Sequence, residues 1–401
     1  MFSFGRCRNT SRPPSHPAPL ERGFRLTRKS DSRKIGEMEK QIPIVYISPY
    51  YMPDDSSGGN RRFNEICRRF NEELGPDFTL IITKGQRPLW WKEKSKLVEI
   101  EYGFNHQTKF KAARQIARYL DSIPPSIVVL ESVPIPFRAL KRHAHFQVAY
   151  DFRYFTGDSK SFLYRLIFSQ YLKYEWRNSE FFVTPTEFSI SELQKYVGYP
   201  RERIVKSYFG IDKELLKATD LPKLPKKYDV IYVGHFEKRK NHAPLLHAIA
   251  KVDPSMKVKL IGYDTGLQKQ LEELAKTLGL VNTTFESVNN DKLLWQYYRE
   301  SKVFAYPSIY EGFGIPTIEA LVLGIPVICS DIPVFHEVGG DLVTYFDPRD
   351  PDDIAEKLRT ALKEQRTPSP ERVKEHLQKF LWDNIYTKFR DDLQMFARKK
   401  L

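Results

Sequence analysis

Residues 301–331 read SKVFAYPSIYEGFGIPTIEALVLGIPVICSD. Val303 to Tyr306 is a short apolar run stopped by Pro307, the pattern of a parallel strand buried on both faces. Gly312 and Gly314 permit a tight loop with exposed backbone. Pro316 suits the first position of a helix, and Gly324 its C-terminal cap. Ile325 to Ser330 reads as a second buried strand. The unit is strand, glycine loop, helix, strand. Its loop amides and the positive end of its helix dipole together make an anion site, most often for phosphate.

Two carboxylates bracket that site: Glu311 before the loop and Glu319 in the first helical turns, with seven residues between them. A bare pair at this spacing arises by chance on many solvated helix faces. The joint set Glu311, Gly312, Phe313, Gly314, Pro316, Glu319 and Ala320 is far more specific. It resembles the E-x7-E signature of retaining glycosyltransferases, in the form Glu-Gly-Phe-Gly-x-Pro-x-x-Glu-Ala of glycosyltransferase family 4. The resemblance implies an α/β, GT-B fold. Two doubly wound Rossmann-like domains would face a central cleft, and a C-terminal helix would pack back on the first. It further implies retaining, metal-independent transfer of a hexose from a GDP- or UDP-linked sugar to a glycan or lipid-linked acceptor, as in polysaccharide or glycolipid biosynthesis. By the same resemblance Glu311 would hold donor-sugar hydroxyls and Glu319 the ribose. Gly312, Phe313, Gly314 and Ile315 would line the donor.

The chain has 401 residues, enough for two domains of ordinary size. No apolar run approaches a membrane span, which argues against an integral membrane protein. Cys7, Cys67 and Cys329 lie far apart, forming neither a disulfide framework nor a zinc pattern, so a reducing, cytoplasmic setting is expected. The net charge is +14. Residues 1–40 hold ten Lys and Arg against four acids, which puts +6 in that leader and +8 in the rest. Such a balance suits nucleotide phosphates, or peripheral contact with an anionic inner membrane face. Nucleic acid is not expected, because no helix-turn-helix or RNA-binding signature is present. No metal or other cofactor is expected either: no Asp-x-Asp motif stands at a strand end, and no His or Cys cluster occurs.

The leader, with Pro13, Pro14, Pro17 and Pro19 among Ser and Arg, lacks hydrophobic periodicity and reads as disordered. A transit peptide and a true start at Met38 are the other readings. A first domain is expected over 41–215. It opens with an apolar run at Ile42 to Ser48 and a loop ending in Gly58 and Gly59, a candidate phosphate or sugar cradle. A helix over Asn60 to Leu74 follows. Further strands are expected at Phe78 to Thr83, Ile127 to Leu130, Gln147 to Asp151 and Phe181 to Thr184, with helices at Lys109 to Leu120 and Glu187 to Val197. Lys84 to Leu97 reads as a loop whose Trp90 and Trp91, beside lysines, either dock a lipid-linked acceptor at a membrane or plug a gap between domains. Ser161 to Ser179 is apolar around most of its circumference, as in a buried helix.

A charged, proline-bearing linker is expected over 216–228 and a second domain over 229–380, where strands again alternate with helices. The final segment, Pro370 to Lys399, reads as one helix that includes a crossover over 381–401. At the domain entry, Gly234-His235-Phe236-Glu237-Lys238-Arg239-Lys240 is similar to a family stretch that carries an arginine after the glycine and a lysine five residues on, both near the donor diphosphate. Lys240 matches the lysine. His235 stands in place of the arginine, leaving Arg239 or a protonated His235 to supply the second cation. Tyr150-Asp151 likewise stands where the family often has His-Asp near the sugar. The resemblance therefore makes Glu311, Lys240, Tyr150 and Asp151 the catalytic candidates. The two departures also keep open a non-catalytic sugar-nucleotide-binding subunit.

Overall fold

Among the described residues thirteen short strands build two sheets, and every strand pair in both is parallel. The computed structural model describes residues 41–53, 57–103, 106–131, 137–156, 162–218 and 221–401. The leader over 1–40 lies outside them. The first sheet comprises β1 Ile44–Ile47, β2 Phe78–Thr83, β3 Lys96–Ile100, β4 Ile127–Glu131, β5 Ala144–Val148, β6 Phe181–Thr184 and β7 Ile204–Lys206. Its order is β3-β2-β1-β4-β5-β6-β7. The second comprises β8 Tyr228–Val233, β9 Val258–Ile261, β10 Thr283–Glu286, β11 Ser301–Tyr306, β12 Val327–Ser330 and β13 Thr344–Phe346, in the order β10-β9-β8-β11-β12-β13. Central strands such as β1 and β9 are buried along their whole length, because helices cover both faces. In each sheet the order reverses beside the first strand, between β1 and β4 and between β8 and β11. Ligands of open α/β sheets bind outside the carboxyl ends of strands at such reversals. This is the expected GT-B arrangement.

Several local expectations need correction. Gly58 and Gly59 are not a loop; they form the first turn of the helix Gly58–Leu74, which Ser57 caps through the amide of Asn60. Glycine is there for close approach: a Cβ on Gly58 would meet the Ile315 side chain at 2.7 Å, and one on Gly59 the Tyr150 ring at 3.3 Å. The fifth strand runs over Ala144–Val148, so Tyr150 and Asp151 lie beyond its end. Strands β3 and β7 and the helix Pro333–Gly339 are short elements that the sequence pattern did not separate from loops. Pairing of β3 with β2 pulls the preceding loop over the helix Gly58–Leu74. Trp91 is thereby buried, and Trp90 donates to Asn64 at 2.7 Å. The tryptophans belong to the first domain's own core, and the exposed apolar point of that loop is Leu89, at 94%. The helix Phe162–Arg177 buries Leu172 and Trp176 but exposes Tyr171 and Tyr174, so it is not buried all round.

The terminal segment is two helices, Pro370–Leu377 and Trp382–Arg398, divided by a 3-10 turn. The division has a partner: the Ile211 amide donates to the Phe380 carbonyl at 2.8 Å, and the Trp382 indole lies over Gly210, where a Cβ would stand 2.3 Å away. Beyond the break the chain returns to the first domain. Trp382, Ile385, Tyr386, Phe389 and Leu393 join the core of β1, β2 and the helix Gly58–Leu74. Gln394 closes the contact with hydrogen bonds to both backbone groups of Ile42, 3.1 and 2.9 Å. Phe389 is 1% exposed and lies beneath the Arg62 guanidinium, 4.9 Å from its ring. We predict that Phe389→Ala destabilises the protein by about 3–5 kcal/mol through cavity formation and loss of this cation–π contact. Chemical denaturation measures it; a loss under about 1 kcal/mol would mean that the terminal helix is a dispensable addition.

Candidate active site

The residues around the Glu311 loop explain its placement. β11 ends at Tyr306, the loop follows, and the helix Ile315–Val322 begins after Gly314, whose φ of +87° suits glycine. Among the described residues the amides of Phe313 and Gly314 donate to no protein group. A Cβ on Gly312 would lie 2.1 Å from the Tyr150 carbonyl oxygen, so only glycine permits this approach of the two domains. Thr186 of the first domain donates to the Gly312 carbonyl at 3.1 Å, and the Phe152 amide to the Tyr310 hydroxyl at 2.8 Å. Phe313 packs on Phe209 and Phe380, with ring centroids 5.3 and 5.6 Å apart. It is a hydrophobic plug rather than an open ligand contact.

Glu311 is buried and accepts three hydrogen bonds. Its Oε1 accepts from Lys240 Nζ and from the Tyr306 hydroxyl at 2.9 Å. Its Oε2 accepts from Arg239 at 2.9 Å. Lys240 also donates to the Tyr306 hydroxyl at 2.7 Å, and Arg239 makes a two-pronged contact with Glu237 at 3.1 Å. Burial alone would push the Glu311 carboxyl up; Lys240 and Arg239 overcome that and hold it at about 2. Lys240 and Arg239 thus meet Glu311 first, as a charged floor beneath the loop. His235 is about half exposed, 3.9 Å from Glu237 and beside the Tyr263 ring.

Glu319 faces the first domain. Arg61, in the helix Gly58–Leu74, reaches across to donate to its Oε1 at 2.9 Å and pairs at the same time with Asp291. The Tyr298 hydroxyl contacts the other oxygen at 3.3 Å. Burial raises the Glu319 carboxyl, and Arg61 opposes that. Arg61, Glu319 and Asp291 line a cavity of about 180 Å³ together with Ile315, Asp212 and Trp382. Tyr150 turns its hydroxyl inward, to Glu131 at the end of β4, and lies beside the buried Arg62. Asp151 caps the Arg153 amide at 3.3 Å. The structure therefore gathers Glu311, Lys240, Arg239 and the 312–315 loop in one place, with Tyr150 and Asp151 against Gly312. Arg61, Tyr298 and Tyr306 were missed from sequence. An arginine three residues after a helix-starting glycine was the available signal for Arg61.

Comparisons with known proteins bear on the family and the fold. Residues 216–380 match the model of the family described as Glycosyl transferases group 1. The O-antigen chain mannosyltransferase B of Escherichia coli is 30% identical over 227 residues, covering 52% of this chain and 59% of that protein. The chain thus spans well under two thirds of that relative. Among solved structures, a glycosyltransferase from Rickettsia africae superposes with a TM-score of 0.69 at 16% identity, covering 89% of this chain and 98% of that one. Anabaena Alr3699/HepE, solved in complex with UDP, gives 0.65 at 14% identity over 88% and 100%.

The buried charges yield a prediction. Glu311→Gln leaves Lys240 and Arg239 without their shared carboxylate and should cost about 3–5 kcal/mol. The Glu311 carboxyl is depressed in the folded state from an ordinary 4.5 to about 2. Its stabilisation is therefore complete above pH 4.5 and disappears as pH falls through 2. The stability gap between wild type and variant, followed by denaturation from pH 7 downward, should narrow below pH 4.5. A gap that is constant over that range would show that the carboxylate charge is not what holds the loop.

Proposed function

We propose, from the match of residues 216–380 to the family model described as Glycosyl transferases group 1, that this chain is a retaining, metal-independent glycosyltransferase. It moves a hexose from a GDP- or UDP-linked donor to a glycan or lipid-linked acceptor in cell-surface polysaccharide biosynthesis. The observation that carries the reading is the placement of the 311–314 loop. It stands at the β8/β11 reversal, with two undirected amides, a helix N-terminus and the first domain packed against Gly312. That is where a diphosphate is bound and where an acceptor from the opposite domain can meet it. The mannosyltransferase relative and the UDP complex of the structural neighbour support the same class.

In this scheme the acceptor oxygen bonds to the anomeric carbon on the face from which the phosphate departs. The acceptor proton passes to the leaving diphosphate. Charge develops on that phosphate, and the Phe313 and Gly314 amides, the helix N-terminus and the cationic floor of Lys240 and Arg239 stabilise it. Glu311 presents its carboxylate edge to donor-sugar hydroxyls, and Glu319 holds the ribose. Arg61 occupies Glu319, and the cavity beside it is smaller than the roughly 300–1,000 Å³ of small-molecule sites. Donor entry therefore displaces Arg61, which keeps Asp291 as its second partner.

Calorimetry with GDP and UDP, with and without chelator, tests the reading. One of them should bind equally in both conditions. Glu319→Ala should weaken the free diphosphate and its sugar nucleotide alike by roughly ten- to a hundredfold, the worth of one charged hydrogen bond. Binding that vanishes on chelation would sink the metal-free scheme, and an unaltered affinity in Glu319→Ala would remove the ribose assignment.

Peripheral membrane contact is proposed through the loop carrying Leu89 among Arg87, Lys92 and Lys94. Among the described residues no helix is long and apolar enough to cross a membrane. Leu89→Asp should lower binding to anionic vesicles several-fold in a sedimentation assay at low salt. Equal binding by wild type and variant would rule out this loop as the contact.

A further inference from the structure

At the carboxyl ends of β1 and β4, the reversal point of the first sheet, Ser48 and Glu131 face each other. Glu131 Oε1 accepts from the Tyr46 hydroxyl at 2.7 Å and from the Tyr150 hydroxyl. Its Oε2 accepts from Ser48 Oγ at 2.6 Å. A carboxylate offers about four lone-pair sites, so among the described residues three are filled and one remains, on Oε2. Glu131 is half-buried and, among the described residues, has no ion-pair partner within salt-bridge distance. The buried Arg62 lies beside the Tyr150 ring, gives its Nη2 to Ser207 at 2.8 Å, and acts on Glu131 through charge rather than a direct ion pair.

Three alternatives for the open position can be weighed. A metal ion needs several ligands, and among the described residues no group of three His, Cys, Asp or Glu converges there. An ammonium ion needs several acceptors converging on it, and among the described residues Ser48 Oγ is the one other oxygen held at Oε2. One lone pair, flanked by hydroxyls, matches one alcohol O–H. The location adds a second argument. Tyr150 braces Glu131 with its hydroxyl while its carbonyl oxygen abuts Gly312, so the carboxylate and the donor loop are tied to one residue.

We propose that Glu131 is the acceptor-binding carboxylate of the first domain, taking a hydrogen bond from a hydroxyl of a sugar acceptor through Oε2. The inference rests on the transferase reading and goes beyond it by naming the acceptor contact. Tyr150 is then a positioning residue: its inward hydroxyl holds Glu131 and does not touch sugar.

The experiment measures binding of the methyl glycosides of mannose, glucose and galactose to the full chain by saturation-transfer NMR, with and without saturating GDP or UDP. At least one glycoside should bind wild type. Glu131→Gln should weaken it at least tenfold while leaving melting temperature and nucleoside diphosphate affinity unchanged. Ser48→Ala, which keeps the charge and opens Oε2 further, should retain the glycoside. Glu131→Asp, which draws the charge back by one methylene, gives the same reading if the Gln variant does not fold. Glycoside binding that is indifferent to Glu131 overturns the inference, as does nucleotide binding with no glycoside bound. If instead a glycoside binds through Glu131 and no nucleotide binds, the transferase reading falls while this sugar site stands.

Discussion

One buried carboxylate organises the candidate site. Glu311 accepts from Lys240, Arg239 and Tyr306, so it fastens the start of the second domain's first helix region to the end of β11. Removing any member leaves a charge or a polar group stranded in a buried setting, where that is far more costly than the pair is stabilising. The loop that follows can therefore leave its own amides unsatisfied. Its position is fixed from below by charge, and from the side by the contact of Gly312 with Tyr150 and of Phe313 with Phe209.

The same logic explains how the two halves meet. Glycine appears at 58 and 312, and at each the would-be Cβ collides with a residue of the other domain, Ile315 and Tyr150. These are contacts of backbone with side chain or backbone across a seam, and they require registry that bulky residues would destroy. Between them lies Arg61, the charged counterpart of the glycine contacts, spanning from one domain to Glu319 and Asp291 of the other. Apolar close packing sets the distance across the seam. Arg61 makes that distance depend on the state of Glu319.

Much of this was legible in the sequence where a pattern is local. Runs such as Val258 to Ile261 and the helix Asp291–Arg299 announce themselves by burial and by period. The Glu311 loop does so by glycine and proline at fixed offsets. What was illegible depended on partners remote in sequence. The break before Trp382 is made by the Ile211 amide, some 170 residues away, and nothing local to Phe380 or Leu381 signals it. Trp90 and Trp91 look like a membrane anchor until β3, itself a weak and charged strand, folds them onto Asn64 and Phe78. Lys240 was read from sequence as a cation for the diphosphate, but not that its first partner is Glu311. The sequence placed both residues in the site and was silent on their pairing.

Tyr150 illustrates the same limit at the level of chemistry. As a residue type it offers one hydroxyl, which by itself is as able to meet a sugar as to brace a neighbour. The decision is made by Glu131 and Tyr46, brought alongside by the parallel register of β1 and β4, where Tyr46 pairs with Val129. A charged residue closing an otherwise apolar strand, as Glu131 closes Ile127 to Leu130, is the one sequence signal that pointed there. Such a residue stands where open α/β sheets receive ligands, and a carboxylate is tolerated at the mouth of a buried strand only if something hydrogen-bonds to it. Three hydroxyls do so. The first domain thus contributes a hydroxyl-lined carboxylate and the second a loop of free amides over buried cations, and Tyr150 touches both.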